Sequence, residues 1–132
     1  MREILFRAKR EATNEWGYGY FVNEYDDFQI YVQPQIITQS GREYVNENTL
    51  GQFTGLTDKN GTKIFEGDIV RYGDTIHKVV FEQRNGTAYF GLVYSPIETL
   101  PFGNYQDLRQ LEVIGNIYDN PELTGGEVNE NN

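Results

Sequence analysis

Residues 52–72 read Gln-Phe-Thr-Gly-Leu-Thr-Asp-Lys-Asn-Gly-Thr-Lys-Ile-Phe-Glu-Gly-Asp-Ile-Val-Arg-Tyr, and this stretch decides the fold class. Asp58-Lys59-Asn60-Gly61 pairs residues that tolerate positive φ with apolar flanks at Phe53, Leu56, Ile64 and Phe65, which predicts a tight reversal between two extended segments. Glu66-Gly67-Asp68 is a second bend. The Ile69, Val70 and Tyr72 that follow are β-branched or aromatic and predict a strand from about Asp68. Downstream, Gly73-Asp74 and Asn85-Gly86 are further turn signals, separating strand-like runs at Thr75–Phe81 and Ala88–Tyr94. The three runs make a meander from Asp68 to Tyr94. Pro96 and Pro101 bracket an irregular loop, a helical turn is expected around Tyr105–Leu108, and Leu111–Tyr118 closes the set as a last strand. Many short strands at close spacing predict a small barrel or roll in preference to a helical bundle.

Upstream, Ile4–Ala8 reads as a first strand leading into a charged loop at Lys9-Arg10-Glu11. Trp16-Gly17-Tyr18-Gly19-Tyr20 alternates aromatics with glycines at period two. That period puts Trp16, Tyr18 and Tyr20 on one face, leaves the other bare, and predicts pairing with the first strand. Two short strands are expected at Phe28–Val32 and around Ile36-Ile37, broken at Pro34. The polar run Thr38–Asn48, with Gly41, is expected to be an exposed connection. The organisation expected is therefore mainly β, with a small N-terminal β lobe over residues 1–50, a barrel domain over 51–123 and a flexible acidic tail over 124–132, too poor in large apolar groups to offset ordering entropy.

The chain has 132 residues, no cysteine and a net charge of −9. Without cysteine there is neither a disulfide framework nor a thiolate metal site. The apolar run at the N-terminus is shorter than a signal peptide needs and no stretch is long enough to cross a bilayer, so a bacterial cytoplasmic location is expected and no membrane contact. Residues 1–24 and 52–72 are each charge-neutral, whereas the tail from Asp119 carries −4 through Asp119, Glu122, Glu127 and Glu130. That balance disfavours direct binding to a phosphate backbone. It leaves open an acidic surface that mimics nucleic acid toward a host factor, beside the plainer reading of solubility.

No catalytic constellation emerges. Glu66 and Asp68 could hold a hard cation or share acid–base work, but residues of this type before a strand more commonly bond their own turn. Asp58, Asn60 and Thr62 begin like a calcium loop, yet glycine falls at its fourth position and Ile69 stands where the bidentate Glu belongs. His77 has no neighbouring Ser or second His and reads as a strand residue. Gly17-Tyr18-Gly19 lacks the third glycine and the helix of a phosphate loop. The reading excludes cofactors and treats the chain as a non-enzyme. The ten Tyr, eight Phe and one Trp fit packing and protein contacts. Trp16, Tyr18 and Tyr20 are the expected interaction residues, on a strand edge open to an identical subunit or to a host or phage protein.

Phe53–Gly61 followed by Ile64–Val70 resembles the YopX family of phage and prophage proteins. The resemblance extends over Met1–Arg10, Glu15–Tyr20, Leu111–Tyr118 and Asn120–Leu123, leaving only the last nine residues outside, with small departures at Ala8 and Gly17. It implies an SH3-like barrel in the second half and an accessory role in a phage setting, and it implies no reaction.

Overall fold

A computed structural model describes residues 3–25, 27, 32–84, 86–96, 98–102 and 107–124. The expected strand residues Phe28–Tyr31, the turn residue Asn85, Tyr105 of the expected helical turn and the tail from residue 125 lie outside the described residues. The protein is mainly β and divides into two compact units, Met1–Phe53 and Thr54–Asn132.

The strands are β1 (Phe6–Arg10), β2 (Trp16–Tyr25), β3 (Val32–Thr38), β4 (Gly41–Thr57), β5 (Lys63–Phe65), β6 (Asp68–Tyr72), β7 (Thr75–Arg84), β8 (Thr87–Ser95), β9 (Glu98–Pro101) and β10 (Leu111–Asn116). Short 3-10 turns cover Leu108–Gln110 and Pro121–Thr124. One sheet runs β1-β2-β3-β4-β5 with an additional β1–β4 pairing, and the other runs β10-β6-β7-β8-β9. The expected β6–β7–β8 meander is present, its registers Ile69↔Lys78 and Val79↔Leu92 fixed by tight turns.

In the first unit β1 pairs antiparallel with β2 and with β4, while β3 links β2 to β4, so the four strands form a closed circuit of hydrogen bonding. Ala8, Ile36 and Val45 are its buried core, with Phe6, Phe21 and Leu50 packed around them. Gly19 sits where β2 meets β3 most closely: a Cβ there would run into the Ile37 carbonyl. Bareness on this side of β2 is what lets the circuit close.

Five expectations need correction. The break expected at Pro34 is absent, since β3 runs through it in register with β2, and the stretch expected to be an irregular loop between Pro96 and Pro101 contains β9, held by pairing with β8. Lys9 and Arg10 belong to β1 and do not start a loop; Lys9 is buried, and Arg10 donates to the Trp16 carbonyl at 2.7 Å and lies 2.8 Å from the Glu43 carboxylate in an ion pair, so partners across the strands hold charged residues that composition alone assigns to a turn. Thr38–Asn48 is not an exposed connection either. From Gly41 it is the first half of a 17-residue strand whose period-two burial peaks at Val45, and only around Glu47 and Asn48 does it bulge. There Thr49 Oγ1 donates to the Asn46 carbonyl at 2.6 Å and accepts from the Lys9 N–H at 2.8 Å, satisfying backbone groups that the bulge would otherwise orphan. Finally, β2 is not an open edge. Trp16–Lys9 and Gly19–Phe6 pair it to β1, and Tyr20–Ile37 through Tyr25–Val32 pair it to β3.

The second unit buries Ile64, Val70, Val79, Leu92 and Leu111 in one cluster, with Leu56, Tyr72, Phe102 and Val113 packed against it. These come from β5, β6, β7, β8 and β10, so the residues flanking the Asp58–Gly61 reversal seed this core.

Candidate functional site

The reversal after β4 is organised by Asp58, which is 6% exposed. One carboxylate oxygen accepts the N–H of Asn60 at 2.8 Å and of Thr62 at 2.9 Å; the other accepts the N–H of Val113 in β10 at 2.8 Å. Backbone bonds from Asp58 N–H to the Thr62 carbonyl, from Gly61 N–H to the Asp58 carbonyl and from Lys59 N–H to the Leu111 carbonyl complete the clasp. Burial acts to raise the Asp58 pKa, but the N–H donors of Val113, Thr62 and Asn60, aided by the Lys59 ammonium, outweigh it and hold the carboxyl below its ordinary value. Here Asp58 caps its own turn and pins that turn to a strand 55 residues away, as the 2.8 Å bond to Val113 shows. Asp58, Asn60 and Thr62 do come together, around backbone N–H groups.

Of Glu66 and Asp68, Asp68 is the one whose carboxylate closes the turn. Asp68 is 2% exposed and accepts the Phe65 N–H at 2.7 Å, closing the turn in which Glu66 sits. The same turn is tied down by Gly67 N–H to the Val79 carbonyl at 2.8 Å and Ile117 N–H to the Gly67 carbonyl at 2.9 Å. Among the described residues no group of three or more His, Asp or Glu is placed to hold a metal ion.

His77 is 6% exposed between β7 and β8. Its Nδ1 lies 3.0 Å from the Val93 carbonyl, which can only accept, so Nδ1 carries the hydrogen; Nε2 is 2.7 Å from the Thr75 hydroxyl. The ring packs 4.2 Å from that of Tyr94. Both nitrogens are committed, and the imidazole acts as a cross-strand strut.

Among the outward-facing groups is the aromatic row of β2. Period-two burial along Trp16–Tyr20 puts Gly17 and Gly19 inside and leaves Tyr18 47% and Tyr20 63% exposed. Trp16 is half-buried because β1 lies beneath it: the Arg7 guanidinium is 4.5 Å and the Lys9 ammonium 5.4 Å from its ring centroid. The registers Arg7↔Tyr18 and Lys9↔Trp16 place the two cations on the same face as the aromatics. Sequence reasoning placed the aromatics and missed the cations. The signal was available, since Arg7 and Lys9 alternate with Phe6 and Ala8 just as Trp16 and Tyr18 alternate with the glycines. An open groove of about 870 Å³ runs beside this row, lined in part by Ile4, Tyr18, Tyr20, Ile37 and Gln39.

These features define a class: a mainly β protein of two compact units in which Asp58, Asp68 and His77 bond the backbone and whose first unit presents an aromatic row. The YopX protein family matches residues 5–124, and the chain belongs to that family. The crystal structure of protein EF1440 from Enterococcus faecalis matches with a TM-score of 0.51 at 24% identity, over 93% of this chain and 99% of that one, and shows the same fold. No curated protein matches the chain. Among the described residues no helix is long and apolar enough to cross a membrane.

Proposed function

We propose that this chain is a phage- or prophage-encoded accessory protein of the bacterial cytoplasm that acts through protein contacts, and that a second copy of itself is the partner received by the outward row of β2. One observation carries the reading: Tyr18 and Tyr20 stand 47% and 63% exposed beside a Trp16 stacked on two cations. Tyr, Trp and Arg are the residue types that anchor interfaces, and closed symmetry lets one patch satisfy its own copy. The contact is by face, because Tyr18 and Tyr20 point outward while β2 pairs with β1 over Trp16–Gly19 and with β3 over Tyr20–Tyr25. Catalysis is not its work: Asp58, Asp68 and His77 spend their polar atoms on the fold. We further infer that the second unit is SH3-like, its four-strand succession β6 to β9 completed by β10 returning beside β6.

Light scattering at micromolar concentration tests the partner. A mass above the 15.3 kDa of one chain, lost in Tyr18→Asp and Tyr20→Asp while circular dichroism stays unchanged, is the expected result. A mass that stays at 15.3 kDa overturns self-association, and an affinity capture from infected cells that depends on Tyr18 would then transfer the face to a host or phage protein.

A further inference from the structure

Asn60-Gly61 lies on the exposed side of the Asp58 clasp, with Asn60 and Gly61 both exposed. An asparagine followed by glycine is the sequence most open to spontaneous loss of its side-chain amide, because no Cβ on the following residue shields the backbone nitrogen that attacks. In this fold that nitrogen is engaged. Gly61 N–H donates to the Asp58 carbonyl at 3.0 Å, and Asn60 N–H donates to the Asp58 carboxylate at 2.8 Å. Gly61 itself is held at φ 82°.

We propose that Asn60 is a deamidation site gated by Asp58, a one-way modification that the closed turn suppresses and that each opening of the turn permits. The Gly61 nitrogen loses its proton to solvent and forms a bond to Asn60 Cγ. The bond from Cγ to the side-chain nitrogen breaks, that nitrogen takes a proton from solvent and leaves as ammonia, and a five-membered succinimide remains. Water then opens either carbonyl of the ring, giving aspartate or isoaspartate at position 60 with no change in oxidation state. The isoaspartate product adds one methylene to the main chain between position 60 and Gly61. That extra length falls inside the turn whose Asn60 and Thr62 N–H groups share one Asp58 oxygen, so both bonds cannot be kept together with the Val113 bond on the other oxygen. Conversion to isoaspartate therefore unclasps the reversal from β10, whereas conversion to aspartate leaves the main chain at its original length.

Peptide mapping of the full chain, incubated at mildly alkaline pH, reads the conversion at position 60 separately from the other Asn-Gly of the sequence, Asn85-Gly86, and a methyltransferase specific for isoaspartate reads the lengthened product. Conversion at least about tenfold slower in the folded chain than in the same chain unfolded in urea is expected, since attack must await local opening. Asp58→Asn keeps the size of the side chain but offers one acceptor oxygen in place of two, so it should move the folded rate toward the unfolded one. Equal rates in folded and unfolded wild-type protein overturn the proposal, as does a folded Asp58→Asn chain that converts no faster than wild type. If the variant does not fold, the wild-type comparison decides alone.

Discussion

Asp58 shows how much one carboxylate can organise when it receives three backbone N–H groups from two parts of the chain. Asp58→Asn removes the charge and one acceptor, and a hydrogen bond to a charged group contributes about 1.5–3 kcal/mol, so the variant should lose roughly 2 kcal/mol in urea unfolding at neutral pH. The sign with pH follows from the depressed pKa. The folded state favours the ionised form, so the contribution is complete above the unfolded carboxyl value of about 4 and fades as pH falls through the lower folded value. The gap between wild type and Asp58→Asn is therefore expected to narrow on acidification below about pH 4, whereas a gap constant from pH 7 to 3 would show that the charge is irrelevant. His77 offers a contrast. Its Nδ1–H to the Val93 carbonyl and its packing on Tyr94 serve β7 and β8, so His77→Ala should lower the unfolding midpoint and leave the β2 face unaltered.

At the scale of the strand, period two is what the sequence shows best. The alternation in Trp16–Tyr20 correctly separates an aromatic face from a bare one, and the turn residues at Asp58–Gly61 and Gly73-Asp74 correctly set the reversals. Pairing partners are harder to read, because a strand's neighbours depend on closure between distant segments. Nothing in Gly41–Asn48 announces that its backbone is taken by β3 and β1, and Glu43, Glu47 and Asn48 look like loop residues until Arg10 and Thr49 are seen to hold that region. The glycines between those aromatics read as places where another backbone packs closely, and the fold places Gly17 and Gly19 inward, with Gly19 against β3. A side chain at Gly19 must displace the Ile37 carbonyl, and overpacking of this kind costs about 1–3 kcal/mol. Gly19→Ala should lower the thermal midpoint, while Gly86→Ala, where nothing stands within 4 Å but φ is 81°, should pay only backbone strain.

For the whole molecule, the net charge of −9 sets the background against which any contact between copies forms. Like-charged chains repel, and salt screens that repulsion within a Debye length of about 8–10 Å. If the Tyr18–Tyr20 face joins copies through aromatic burial, association should strengthen between low and physiological ionic strength. Association that weakens over that range would point to ion pairs across the contact in place of aromatic burial. One consequence of the first unit's closed circuit concerns time. Phe6 pairs with Gln52, so β1 waits for 46 further residues before its second side is satisfied. At about 5–20 residues per second of translation, that wait is roughly 2–9 s. During it, a nascent chain carries a half-paired strand, and the ribosome-bound interval, before any encounter between finished copies, is when this fold is most open to capture by other chains.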